Sequence, residues 1–186
     1  MARKSIVKSY STATVEKRIE IILDNYSVFD RMLDGFERSI FLVIRTEREE
    51  KRNRERCDLG IRVQTSNISD ITGDTASNEA DLERAIHEGD WMSAIKGAIN
   101  LEKHRREIET VHMMRRDYEL VTEQFGCLKP RQYRLLERYL GGEEDPLDIA
   151  EDIGITVEAL RSRVYRYRVR VKENALYHMD ILQQCA

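Results

Sequence analysis

Between Leu147 and Val164 the chain reads Leu-Asp-Ile-Ala-Glu-Asp-Ile-Gly-Ile-Thr-Val-Glu-Ala-Leu-Arg-Ser-Arg-Val, a pattern that few folds accept. Ile149, Ile153, Ile155, Leu160 and Val164 supply the inner faces of two short helices. Ala150 is small where those helices would cross. Gly154 comes four residues later and tolerates the positive φ that a tight turn between them demands. Thr156 then offers a side-chain oxygen to cap the second helix. The spacing predicts a helix-turn-helix.

Charge separates a binding helix from a packing one. From Thr156 to Lys172 six cations (Arg161, Arg163, Arg166, Arg168, Arg170 and Lys172) face a single anion, Glu158, in a chain of net charge −3. With Leu160 pointing inward and about 100° per residue, Glu158, Arg161, Ser162, Tyr165 and Val169 point outward. Arg163, Arg166, Arg168 and Arg170 lie on the flanks. Outward residues near the start of such a helix read base edges, while flanking cations hold phosphates. The candidate DNA-binding residues are therefore Thr156, Glu158, Arg161, Ser162 and Tyr165 for the groove. Arg163, Arg166 and Arg168 are candidates for phosphate, helped by Lys129 and Arg131.

The rest of the chain reads as helix. Two prolines and nine glycines leave little punctuation, and 35% charged with 7% aromatic residues suits solvated helices with narrow apolar stripes. The fold predicted is all-α: long N-terminal and central helices followed by a C-terminal three-helix module. Residues 1–58 form an N-terminal helical region with breaks at Asn25-Tyr-Ser and Asp34-Gly35. Its end, Arg45 to Arg56, has six basic and four acidic residues and reads as a solvated face carrying i,i+4 pairs, with phosphate binding as the lesser alternative because the acidic residues cancel most of the charge. Residues 59–78 lack a helical period and read as a polar loop or linker. Residues 79–126 are a central helical region, broken at Glu88-Gly89-Asp90 and then running as one helix about 50 Å long, with Gly126 as its C-cap. Residues 127–186 hold three helices, started by Pro130, by Asp145-Pro146 and by Thr156, with stops at Gly141-Gly142 and Gly154.

Nothing points to catalysis. His87, His104, His112 and His178 show no metal-ligand spacing and read as surface or helix-face residues. No Gly-rich phosphate loop, nucleophile elbow or paired catalytic carboxylate occurs. Cys57, Cys127 and Cys185 are odd in number and far apart, which predicts neither a zinc site nor a disulfide framework. A non-enzyme without metal or cofactor is expected. The first residues lack the apolar stretch of a signal peptide, and no run is long enough to span a bilayer, so the expected location is cytoplasmic, away from membranes.

Leu128-Lys-Pro-Arg-Gln-Tyr-Arg-Leu-Leu, Leu147-Asp-Ile-Ala-Glu-Asp-Ile-Gly-Ile-Thr and Val157-Glu-Ala-Leu-Arg-Ser-Arg-Val-Tyr-Arg together resemble sigma-70 region 4, especially its extracytoplasmic-function form. The remaining two-thirds show no region 2 pattern, which argues against a full initiation sigma factor. In layout the chain resembles the small phage and prophage regulators of the ArpU/RinA type. Gly60-Ile-Arg-Val-Gln-Thr-Ser, Asp70, Thr72-Gly73 and Ala76 are similar to the linker of such proteins. The resemblance implies sequence-specific binding of double-stranded DNA and regulation of late phage transcription, with RNA polymerase as a partner. A lone recognition helix offers little contact, and the Trp91–Val121 stripe exceeds what a three-helix module covers, so a homodimer is also expected. Two alternatives share the pattern: a DNA-packaging protein like a small terminase subunit, and a polymerase-binding adaptor whose helix-turn-helix meets protein.

Overall fold

The computed structural model describes residues 6–58 and 71–184, without the side chains of 56–58, 71–76 and 182–184. Among them the chain is all-α, with no strand. The helices are α1 (Ile6–Ser11), α2 (Val15–Asp24), α3 (Tyr26–Asp58), α4 (Ile71–Glu88), α5 (Trp91–Ala94), α6 (Leu101–Glu123), α7 (Pro130–Gly141), α8 (Pro146–Asp152) and α9 (Val157–Gln184); a 3-10 turn, Gln124–Cys127, succeeds α6. No described helix is long and apolar enough to cross a membrane. The chain divides into two compact units: 6–32 with 114–184, and 33–113.

In the first unit Thr14 caps α2, accepting from the Lys17 N–H, and the chain breaks at Asn25 as its sequence suggests. Tyr10, Ile19, Ile22, Phe29, Met114, Val121, Phe125, Leu136, Ile149, Leu160 and Val171 are buried. Aromatic rings join the segments: Tyr26 stacks on Phe125 at 4.9 Å and Phe29 on Tyr118 at 5.3 Å between centroids. Inside this core the Tyr10 hydroxyl donates to Asp117 Oδ2 at 2.8 Å, and Arg18 Nε lies 3.3 Å from the same oxygen. Burial, and then the Asp117 charge, push the Tyr10 phenol far above its usual range. The stop expected at Gly126 is replaced by the 3-10 turn, in which the Leu128 N–H reaches the Phe125 carbonyl.

The second unit departs more from its sequence. The break expected at Asp34-Gly35 is absent, and α3 runs through it. One interior glycine costs about 1 kcal/mol, less than the roughly 1.5–3 kcal/mol gained by burying any one of Leu33, Ile40 or Ile44. Of the polar loop expected over 59–78, residues 59–70 lie outside the described residues, and the remainder is helix from Ile71 onward. Leu82, Ala85 and Ile86 bury the later turns of α4, and adding turns to an anchored helix is far easier than nucleating one. The helix expected from Asp90 to Phe125 is also interrupted. Asp90 caps as predicted, accepting from the Ser93 N–H, but α5 lasts one turn. Gly97 at φ +85° ends any helical path, and α6 begins anew at Leu101.

The start of α6 is set by a carboxylate about fifty residues away. Glu47 of α3 accepts from the Ile99 N–H (2.7 Å), the Asn100 N–H (3.1 Å) and Asn100 Nδ2 (2.6 Å). They fix the two residues immediately before the first turn of α6. His104, expected at a surface or helix face, is fully buried, with Nε2 3.0 Å from Glu47 and Nδ1 3.2 Å from Glu107. Burial opposes ionisation of Glu47, but the hydrogen bonds from Asn100 and the two backbone N–H groups, with the His104 ring beside them, outweigh it. The carboxyl is held down to about 2.

Candidate nucleic-acid interface

The segment from α7 to α9 is built almost wholly by local signals. Pro130 and Pro146 occupy first helical turns, where a missing N–H costs nothing. Gln132 Oε1 accepts from the Lys129 N–H at 3.1 Å and Asp145 Oδ1 from the Leu147 N–H at 2.8 Å, so both helix starts are capped. α8 closes in a Schellman arrangement: the Ile155 N–H reaches the Ala150 carbonyl at 3.0 Å and the Gly154 N–H the Glu151 carbonyl at 3.1 Å. That geometry holds Gly154 at φ +67°, which a side chain would resist. Thr156 Oγ1 accepts from the Ala159 N–H at 3.2 Å and opens α9. Ala150 is buried against its neighbours, as are Ile149, Leu160 and Val164. Ile155 is half-buried, and Ile153, expected inside, is exposed.

Arg138 ties α7 to α8. Its guanidinium forks onto both oxygens of Glu144 and donates from Nη1 to Asp152 at 2.7 Å, joining α7, the α7–α8 connection and the end of α8. The hydrogen bond from Arg138 holds the Glu144 carboxyl below the usual carboxylate range. Sequence reasoning missed this residue. Its signal was a lone arginine in the last turn of α7 ahead of an acidic connection.

The outer face of α9 begins with exposed side chains. Thr156, Glu158, Arg161, Ser162 and Tyr165 are all exposed, and Tyr165 reaches 69%. Arg163 is half-buried on the flank. Arg166 is exposed, with Nε donating to the Ser162 carbonyl of its own helix at 3.3 Å. Among the described residues Arg161, Arg163, Arg166 and Arg170 have no carboxylate partner. Lys129 and Arg131 are exposed too, but on a separate element, the start of α7.

Further along α9 two cations, Arg168 and Lys172, are occupied. Arg168 pairs with Asp24, and Lys172 Nζ lies 3.0 Å from Glu20 and 3.8 Å from Glu16. Glu16, Glu20 and Asp24 recur every fourth residue on α2, so they form one acidic row, and α9 meets it in antiparallel register. Hydrogen bonds from Lys17 and Lys172 hold Glu20 down to about 2. The row was visible in the sequence as spacing, but nothing in the sequence said which helix it would face. Arg168 is thus the one predicted phosphate contact that the structure finds already paired.

No group of residues suited to hold a metal ion occurs among the described residues. Comparison with models of known protein families, with curated proteins and with solved structures gave no match to this chain.

Proposed function

We propose that this chain is a sequence-specific duplex-DNA-binding regulator of transcription. In that reading α8, its turn and α9 form a helix-turn-helix resembling sigma-70 region 4, with α9 as the recognition helix. One observation carries it: the first turns of α9 present Arg161, Ser162 and Tyr165 together on an exposed face, flanked by arginines that no described carboxylate neutralises. A helix entering the major groove needs such a face. Arg161 has the fork to engage a guanine edge, Ser162 can donate or accept, and Tyr165 can lie against bases or sugar. Thr156 and Glu158 border the first turn. Arg163, Arg166, Lys129 and Arg131 supply phosphate contacts that orient the helix without reading sequence.

The resemblance to ArpU/RinA-type regulators supports a role at phage or prophage promoters, and the resemblance to region 4 supports action beside RNA polymerase. A single module buries little DNA surface, so polymerase or a second copy of the chain adds the missing contact. The apolar stripe that motivated a homodimer is covered within the chain at Ile108, Val111, Met114 and Val121, whereas Ile99 and Leu101 are exposed.

Selection of duplexes bound by the full chain from a random pool, followed by gel retardation at low salt, tests the proposal. The expected result is an enriched motif whose binding weakens steeply with salt. Absence of both enrichment and retardation would overturn it.

A further inference from the structure

On the helices of the second unit most cations sit beside carboxylates. Arg45 meets Glu49 and Glu79, Arg54 meets Glu50, Arg105 meets Glu102 and Glu109, and Arg106 meets Glu102. Around one cleft this pattern stops. α3, α4, α5 and the connection after it line an open cleft of about 430 Å³, with Arg48, Lys51, Arg52 and Lys96 on its walls against Glu55 and Asp81. None of these four cations has an ion-pair partner among the described residues. Asp81 is already engaged by Arg84 at 2.9 Å, which leaves Glu55 as the unengaged acid. Arg48 donates from Nη2 to the Ala94 carbonyl at 2.9 Å, and its buried Nε has no hydrogen-bond partner.

Four like charges brought to one concavity repel one another, and a half-buried guanidinium with an unmet donor adds a desolvation cost. Burial, and the charge of Arg52, push the Arg48 guanidinium below its ordinary range. A multiply charged anion removes both costs at once. Sequence pattern alone favours a solvated face over phosphate binding for Arg45–Arg56, because its acidic residues cancel most of its charge. The folded chain sorts them, turning Glu47 to the start of α6 and Glu49 and Glu50 to neighbouring arginines.

We infer that this cleft is a phosphate-binding site, formed by Arg48, Lys51, Arg52 and Lys96 and made of residues of the second unit alone. Arginine forks match paired phosphate oxygens, lysines add point charges, and the volume suits a group the size of a nucleotide. The phosphate belongs either to a free phosphorylated compound or to a nucleic-acid backbone.

Calorimetric titration of the full chain with pyrophosphate and with ADP distinguishes the sources, using Arg52→Glu and Lys96→Glu, both at exposed positions, with thermal melts to check the fold. Saturable binding of either compound at one per chain, weakened at least tenfold in both variants, supports the site and assigns a free phosphorylated ligand. No binding of either compound, but a salt slope for a duplex or single-stranded oligonucleotide that falls by about 1 in each variant, supports the site and assigns the backbone. Variants that change neither small-anion nor nucleic-acid binding overturn it. The pyrophosphate arm does not depend on α9, so failure of the transcription reading and failure of this one are read separately.

Discussion

The polar cluster around Glu47 and the outer face of α9 are both made of charged side chains, yet they obey opposite rules. Glu47 is buried, and each of its oxygens has a donor: two backbone N–H groups on one and the Asn100 amide on the other, with the His104 ring 3.0 Å away. On α9 the arginines at 161, 163 and 170 have no described carboxylate and are left to water. The difference comes from solvation. A charge taken out of water must be repaid by partners within the fold, whereas an exposed charge is stable unpaired and stays available to a ligand. The first kind of site holds the chain in shape; the second is where a phosphate or a base edge can be met.

That contrast makes Glu47→Ala the most damaging change. It leaves two N–H groups and the Asn100 amide just before α6 without their acceptor and removes the carboxylate beside the buried His104 ring, at a cost of about 3 kcal/mol in urea denaturation. A loss below about 1 kcal/mol would break the idea that this carboxylate holds the start of α6. The same site sets an acid response. The folded carboxyl titrates at about 2 against an ordinary 4.5, so the unfolded chain takes up the proton first. Its stabilisation is complete above about pH 5 and is lost as pH falls through about 2. Glu47→Gln should flatten that part of the stability profile.

Arg161→Ala should behave in the reverse way. Denaturation should be unchanged within about 0.5 kcal/mol, while affinity for the selected duplex falls by about 1–3 kcal/mol and preference at one base position relaxes. Equal weakening on all sequences would move Arg161 from base reading to phosphate holding. Gly154→Ala tests the turn between α8 and α9: the left-handed backbone at φ +67° should make it cost about 1–2 kcal/mol of stability, with DNA binding recovered once the protein is folded. Asp24→Asn should have the smallest effect on stability, within about 1 kcal/mol for an exposed pair. It releases Arg168 toward phosphate, so the salt slope of DNA binding should rise by about 1. An unchanged slope would mean that Arg168 does not face the DNA even when freed.

The sequence by itself determined the C-terminal elements. Pro130, Asp145-Pro146, Gly154 and Thr156 act within a turn of their own position, through fixed φ, capping oxygens and a tolerated left-handed residue, so their effects are readable in order along the chain. The outward set Glu158, Arg161, Ser162 and Tyr165 was legible for the same reason, since helical periodicity alone separates it from Leu160 and Val164. Tertiary structure decided the rest. The helix through Gly35, the start of α4 at Ile71 and the interruption before Leu101 depend on burial and on a cap from Glu47. Likewise Arg168 is paired only because α2, more than 140 residues earlier, sets Asp24 beside it, and Arg48, Lys51, Arg52 and Lys96 share a cleft only because α3 and the connection after α5 are packed together. Local rules fix dihedral angles and nearby hydrogen bonds. Which charges end up paired, buried or left to water depends on distances through space, and those are set only when the chain has folded.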